Sequence, residues 1–462
     1  MIRIFNDIYQ EVRKISAKGT FAQNVSIVFT GNILNLILQI LVTPIVSRIF
    51  GPDSYGEYAY FNLIVTNISF FAAFSIPSIY IIPKSRFEFL ALAKFVMISI
   101  TVTMILTIGV YTFASDELTY GNNVLGSIAI LIILILINNF NGILESWNIR
   151  IKRFKRNTAV SFTSNIFSKG GTIAYGLILT ANGTGLLFGD LIKGLITFFT
   201  QTTGKTRLII IRFLFRKNGR EVLASLKKNL NVPKFVFPSQ LISKWTGDIP
   251  ILIIGWYYSK EVLGNYIFAI TILNIPKNLI ANAIRPVLFQ KANEVYNETP
   301  QLLGSYFIKS LTWVFMISAG FTVIIIPVIP LLFPFVFGDQ WQESGLLIPL
   351  VSSYYMMMFI ITPYIDFWRI IKKERELLYV NIVSTIFKLV PFAFIFLQND
   401  FNEFLIIYSI FSSVGILILV WNLLTNFFGF LPSLKIMVML VIGLSLCYIW
   451  TLFISEKLIN SF

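Results

Sequence analysis

The sequence predicts an all-α membrane protein: two parallel-repeat bundles of six transmembrane helices, followed by a thirteenth helix. Three observations carry that expectation. Long apolar runs succeed one another along the chain, lysine and arginine gather in alternate loops, and one polar turn recurs 208 residues later in the same orientation.

The apolar runs decide the class. Of the 462 residues, 56% are hydrophobic and only 13% are charged. A soluble chain of this length needs more polar surface to cover its core, and apolar runs of about 18 or more residues read as membrane spans. Histidine is absent, and the single cysteine, Cys447, lies inside a late apolar run. Those absences exclude a histidine-dependent enzyme, a histidine-ligated zinc site, a thiolate metal cluster and a disulfide framework. The N-terminus is not a secretory signal, because no continuous apolar core follows its charges. Ile4, Ile8, Val12 and Ile15 recur there at helical spacing beside Arg13, Lys14 and Lys18. That pattern suits an amphipathic helix on the cytoplasmic surface, with a frayed basic tail as the alternative.

Thirteen spans follow: 22–49, 55–83, 90–113, 122–147, 158–180, 184–203, 235–257, 262–288, 305–331, 344–370, 377–398, 402–425 and 433–455. The sixth is interrupted by Gly183, Gly185, Asp190 and Lys193. The basic residues test the count, since cytoplasmic loops carry the excess of Lys and Arg. With the N-terminus inside, the cytoplasmic segments hold Arg3 to Lys18, then Lys84 and Arg86, then "RIKRFKR" at 150–156. The 204–234 loop and the run Arg369, Lys372, Lys373 and Arg375 complete that side, while the external segments offer only Arg48, Lys260 and Lys457. The net charge of +15 is therefore mostly a loop signal; it attracts anionic headgroups and gives no reason to invoke nucleic acid. The largest loop contains "RLIIIRFLFRK", which suits another interfacial amphipathic helix.

The repeated turn sets the architecture. Gly56-Glu57-Tyr58 aligns with Gly264-Asn265-Tyr266; Pro44 lies near the position of Pro250, and Pro77 near that of Pro286. Six spans separate the copies, and an even number returns the chain to the same side. Two lobes related by an axis along the membrane normal follow, an arrangement typical of transporters; chance recurrence of a common turn is the alternative. The chain then divides into a cytoplasmic amphipathic segment (1–21), an N-terminal lobe (22–203), a basic linker (204–234), a C-terminal lobe (235–425) and an extra helix with the C-terminus (426–462).

The stretch "LVTPIVSRIFGPDSYGEYAYFNLIVTNIS" resembles the helix 1–2 signature of Wzx-type polysaccharide flippases, members of the multidrug/oligosaccharidyl-lipid/polysaccharide exporter superfamily. "GDIPILIIGWYYSKEVLGNYIFAITILNIPKNLI" is similar to the helix 7–8 region of the same family. The resemblance implies two lobes around a central cavity that opens alternately to each side. Its implied cargo is a polyprenyl-pyrophosphate-linked oligosaccharide, turned to the outer leaflet of a bacterial cytoplasmic membrane for O-antigen- or capsule-like assembly. Membrane lipids, a polysaccharide polymerase and chain-length proteins are the implied partners. The span at 433–455 departs from the family's even count.

The ionisable residues inside the spans bear on that cargo. Lys169, Lys193, Lys244, Lys277 and Lys388 fall near the middle of predicted spans 5, 6, 7, 8 and 11. Facing lipid, they would together cost roughly 12–18 kcal/mol on insertion scales, so they are expected to face protein or a water-filled cavity. Asp190 and Lys193 stand at i,i+3, and Lys244 and Asp248 at i,i+4. Each pair either neutralises itself or serves the cavity. Lys169, Lys277 and Lys388 have no carboxylate one turn away, and Arg285 lies towards the cytoplasmic end of its span. A cationic excess suits an anionic pyrophosphate crossing a low-dielectric region. Asn32, Asn35, Gln39 and Thr43 form a polar stripe on the first span; they could contact sugar hydroxyls or join helices. Asn62, Thr66 and Ser69 on the second span, and Asn138, Asn139 and Asn141 on the fourth, pose the same choice.

Three rival readings stay open. A drug or cation exporter of the same fold needs an acidic cavity, whereas Glu145, Asp190, Asp248 and Asp366 are outnumbered. A lipid II-type flippase shares the mechanism and differs in cargo. A membrane glycosyltransferase, polymerase or ligase needs a sizeable catalytic loop, and the external loops are short. The expectation is a transporter rather than an enzyme, with no cofactor, and with Asp190 and Asp248 as candidates for H+ or Na+ coupling.

Overall fold

A computed structural model of the chain describes residues 21–80, 85–113, 124–216, 219–230, 232–395 and 400–460. Among the described residues every regular element is helical. The amphipathic segment expected at the N-terminus lies, apart from Phe21, outside them. Within the described residues each of the thirteen predicted spans has a helical segment, and eight helices there are long and apolar enough to cross a membrane by length and composition.

The first six spans are α1 (Phe21–Ile49), α2 (Pro52–Ala73), α3 (Arg86–Phe113), α4 (Val124–Arg150), α5 (Phe154–Ile178) and α6 (Gly183–Thr200). The basic loop folds into two helices rather than one, α7 (Gly204–Phe215) and α8 (Gly219–Lys228). Then come α9 (Phe237–Tyr257), α10 (Lys260–Glu298), α11 (Leu303–Gly320), α12 (Ile329–Phe337), α13 (Gln342–Ile361), α14 (Phe367–Ile370), α15 (Glu374–Ala393), α16 (Phe401–Phe428) and α17 (Phe430–Ile459).

Several boundaries differ from the sequence reading for local reasons. The second span begins at Pro52, not 55, because proline lacks an N–H and its fixed φ suits the first helical position. It stops at Ala73, where Phe74 and Ser75 take left-handed conformations (φ 47° and 56°), and Pro77 opens a separate 3₁₀ turn over Ile76–Ile79. The ninth span runs on to Phe337 through a π-helical stretch at Phe321–Ile325 and a 3₁₀ turn holding Pro327. α10 continues ten residues past the predicted end at 288, as the polar segment ending at Glu298.

The chain divides into two compact units: residues 1–50 with 57–240, and residues 51–56 with 241–462. In the first unit, Phe89, Leu92, Val96 and Ile100 of α3 meet Leu131, Ile135 and Ile143 of α4 in one core. Gly185, one of the residues that seemed to interrupt the sixth span, and Gly189 further along it are where α6 approaches its neighbours. A Cβ on Gly189 would stand 2.0 Å from Thr172 Oγ1, and one on Gly185 would stand 2.8 Å from Phe50 and Tyr175. Small residues let membrane helices pack backbone to backbone, which is why α5 buries Ser164, Ser168 and Thr172 along one stripe. Asn141 Nδ2 donates to Gly194 O at 2.9 Å, so this asparagine joins α4 to α6.

In the second unit Phe307 and Leu311 of α11, Met357 and Ile360 of α13, and Val420 and Leu423 of α16 form the core. α17 is anchored to it by Tyr448 Oη donating to Leu350 O at 2.8 Å and Thr451 Oγ1 donating to Thr322 O at 3.1 Å. Its opposite face exposes Leu434, Val438, Ile442, Leu446, Ile449 and Phe453 at helical spacing. An exposed apolar stripe of that length is a lipid-facing surface, so the thirteenth helix completes the rim of this bundle.

The repeated turn acquires a structural meaning in the second unit, which includes Gly51–Gly56. α1 ends at Ile49 and α2 starts at Pro52; α9 ends at Tyr257 and α10 starts at Lys260, so both boundaries recur at an offset of 208. The two glycines of the repeat meet. A Cβ on Gly264 would lie 1.8 Å from Pro52 O, and one on Gly56 would lie 1.9 Å from Lys260 O. Tyr55 is fitted edge-on between Phe268 and Trp341, at ring separations of 5.3 and 5.0 Å.

Candidate functional site

Each unit holds its own group of intramembrane charges. In the first, the close α5–α6 crossing at Ser168, Thr172 and Gly189 fixes the neighbours of those residues. Lys169 follows Ser168 and Asp190 follows Gly189, and the lysine feels the charges of both Asp190 and Lys193. Asp190 does not close an ion pair with Lys193 one turn away. Its Oδ2 instead accepts a hydrogen bond from Tyr58 Oη at 2.7 Å. Lys169 is half-buried and Lys193 exposed, so two cations face one tyrosine-bound carboxylate.

Asn35 of the predicted polar stripe is turned towards α5. Its Nδ2 donates to Ser161 Oγ at 3.3 Å and its Oδ1 accepts from Asn165 Nδ2 at 2.8 Å. Thr43 Oγ1 donates to the backbone oxygen of Gln39 at 2.6 Å, while Asn32 is exposed. On the second span Thr66 donates to Leu63 O, bending its hydroxyl back onto its own helix.

In the second unit Lys244 and Asp248 form the ion pair their spacing suggested, at 2.5 Å. Thr246, between them, meets Thr385 of α15 at 2.8 Å. Arg285 is also engaged: Nε donates to Asp366 Oδ2 at 2.7 Å and Nη2 to Oδ1 at 3.0 Å, with Arg369 adding a contact at 3.4 Å. A two-pronged guanidinium–carboxylate pair of this kind is directional and strong.

Lys388 and Lys277 are different. Gly415 of α16 would place a Cβ 2.7 Å from Ser384 O, so α15 and α16 lie close and Lys388, one turn on, is enclosed. It is only 8% exposed. Its Nζ donates to Tyr354 Oη at 3.0 Å and sits 5.0 and 6.0 Å from the rings of Tyr354 and Tyr408. Lys277 stands 5.9 Å above the ring of Tyr355, and the two lysines repel each other. Tyr354 packs against both Tyr355 and Tyr408, at ring separations of 5.3 and 6.0 Å. Behind them Ser353, Ser409 and Ser413 form a buried hydroxyl cluster, which locks α13 to α16.

Aromatic faces and a neutral hydroxyl hold an ammonium in place but carry no net charge. Among the described residues no carboxylate comes within ion-pair distance of Lys277 or Lys388. A buried ion without a counter-ion is costly, and Lys388 is the enclosed member of this pair. Sequence reasoning found both lysines and missed the tyrosines. The visible signal was the polar pair "YY" at 354–355 inside an apolar run, with Tyr408 in another.

The fold has known counterparts. The structure is similar to lipid II flippase MurJ in an inward closed conformation, with a TM-score of 0.62 at 12% identity over 94% of this chain and 97% of that one. It is also similar to an inward-facing multidrug resistance MATE family transporter of the MOP superfamily, with a TM-score of 0.50 at 15% identity over 90% and 98%. No curated protein matches the chain in sequence. The chain is thus a multi-pass membrane protein by its long apolar helices, with a fold like those of MurJ and the MATE transporter. Residues 45–345 match the polysaccharide biosynthesis protein family, and the chain belongs to it, as the resemblance of its helix 1–2 segment implied.

Proposed function

We propose that this protein is a flippase for a polyprenyl-pyrophosphate-linked oligosaccharide, carrying it by alternating access from the cytoplasmic to the outer leaflet of a bacterial cytoplasmic membrane. The N-terminus is cytoplasmic in this reading, because the basic loops fall on that side. The carboxylate-free lysine pair Lys277 and Lys388 carries the proposal. A pyrophosphate must lose water as it crosses, and a pre-placed pair of ammonium groups replaces part of that hydration. Lys169 and Lys193 give the first unit a cationic group of its own. Lys244 and Arg285 support it as members of ion pairs, whose release would expose further charge. Tyrosine rings and the amides Asn32, Asn35 and Gln39 with Thr43 suit sugar rings and hydroxyls. An exporter of organic cations would be repelled by the same lysines.

The test uses a strain lacking the gene. A complete lipid-linked repeat unit trapped on the cytoplasmic leaflet, released by the wild-type chain, supports flipping. Normal surface glycan with no trapped intermediate supports an exporter, and incomplete repeats support an enzyme.

Asp190 and Asp248 are the proposed route of H+ or Na+ coupling; the Tyr58 hydroxyl donates to the first, and Lys244 pairs with the second. Replacing both with Asn is expected to leave transport running but insensitive to an imposed ion gradient in proteoliposomes. Gradient dependence that persists in the double variant removes the role.

A further inference from the structure

The first unit carries a lateral groove remote from the residues discussed so far. It has a volume of about 560 Å³ and lies among α3, α4, α6 and the linker helix α7. Its walls are apolar, formed by Ile98 and Thr101 of α3, Ile133 and Leu136 of α4, Phe198 of α6 and Phe215 of α7. Lys94 stands at the basic end and donates to the backbone oxygen of Arg216, at the C-terminus of α7. α7 has two apolar sides: Ile210 and Phe213 are buried in the core, while Leu208, Ile209 and Phe215 are exposed. Between them Arg212 is exposed and forms no ion pair among the described residues. Arg207 is drawn inwards, over the rings of Phe198 and Phe199 at 5.0 and 5.2 Å.

A helix with exposed apolar residues and an exposed arginine, here Arg212, suits the plane of a membrane interface. Ile211, Leu214 and Phe215 of the same helix line the apolar groove, and Arg212 follows Ile211 in the chain, so a basic residue adjoins an apolar wall. We propose that this groove is a structural site for an anionic phospholipid of the cytoplasmic leaflet. An acyl chain lies along α3 and α4, and the phosphate sits against Arg212 and the Lys94 end of the groove. The charge favours a phospholipid with net negative charge over a zwitterionic one, and the volume matches a single ligand pocket of about 300–1,000 Å³. Bound there, the lipid would cement the linker helix to the first unit.

Native mass spectrometry of the full-length protein, equilibrated with equal amounts of phosphatidylglycerol and phosphatidylcholine, tests the site. Wild type is expected to retain phosphatidylglycerol preferentially. Arg212→Gln should lower that preference by about five-fold, the effect of one cationic side chain at an anionic surface. Thr101→Trp, which fills the groove from a lipid-exposed position, should reduce retention of both lipids, whereas Thr101→Ala should not. Equal retention of the two lipids by wild type, or retention untouched by Thr101→Trp, overturns the proposal. Displacement of phosphatidylglycerol by a polyprenyl phosphate at stoichiometric amounts would overturn the phospholipid assignment and give the groove to an isoprenoid chain.

Discussion

Lys388→Met is expected to lower transport of the lipid-linked glycan by about 10- to 100-fold, the equivalent of losing one charge-assisted contact to phosphate. Its folding stability should stay within about 1 kcal/mol of wild type, because methionine fills similar volume and removes a buried charge that lacks a counter-ion. Lys388→Glu should abolish transport, since it would replace the ammonium that donates to Tyr354 with a negative charge that repels the arriving pyrophosphate. Initial flipping rates in proteoliposomes, read beside thermal unfolding of the same preparations, decide the matter. A purely structural lysine would lose stability and transport together. A receptor lysine loses transport alone, and Lys277→Met should reproduce the pattern more weakly because that side chain is less enclosed.

Gly264→Ala is expected to be among the most damaging single methyl groups that could be added to this chain. The new Cβ would fall 1.8 Å from Pro52 O and 2.6 Å from Pro52 C, both backbone atoms that cannot rotate aside. The α2 and α10 N-termini would have to separate, opening the aromatic cluster of Tyr55, Phe268 and Trp341. Overpacking of this kind costs about 3 kcal/mol or more when the obstacle is rigid. Gly56→Ala should behave alike, since its Cβ would meet Lys260 O at 1.9 Å. Gly142→Ala, where nothing lies within 4 Å, is the matched control and should be neutral or slightly stabilising. Thermal unfolding in detergent separates them; equal midpoints for Gly264→Ala and Gly142→Ala would refute the close-contact reading.

These two predictions draw on different levels of the sequence. Gly264 was already marked by the recurrence of Gly-x-Tyr at an offset of 208. What the recurrence could not say is that the two copies touch, because a repeat reports orientation and not distance. Pro52 shows the same limit on a smaller scale. It reads as part of a turn, yet it is the first residue of a helix, since a proline ring suits both. Gly185 of α6 reads as an interruption and is a contact point, because residue type alone does not reveal the neighbour a missing Cβ makes room for.

The sequence by itself determined the all-helical membrane fold, the recurrence of the polar turn and the cationic sign of the intramembrane charge. All three follow from local rules: hydropathy over about twenty residues, turn chemistry, and composition. It also determined the Lys244–Asp248 pair, since residues four apart share a helix face. Only the tertiary structure decided which other charges are spoken for. Asp366 reaches Arg285 across 81 residues and Tyr58 reaches Asp190 across 132, whereas Lys388 finds a tyrosine 34 residues away and no carboxylate. Partnership at those separations depends on which helix faces meet. That is set by packing of glycine, serine and aromatic side chains, and helical periodicity carries no record of it.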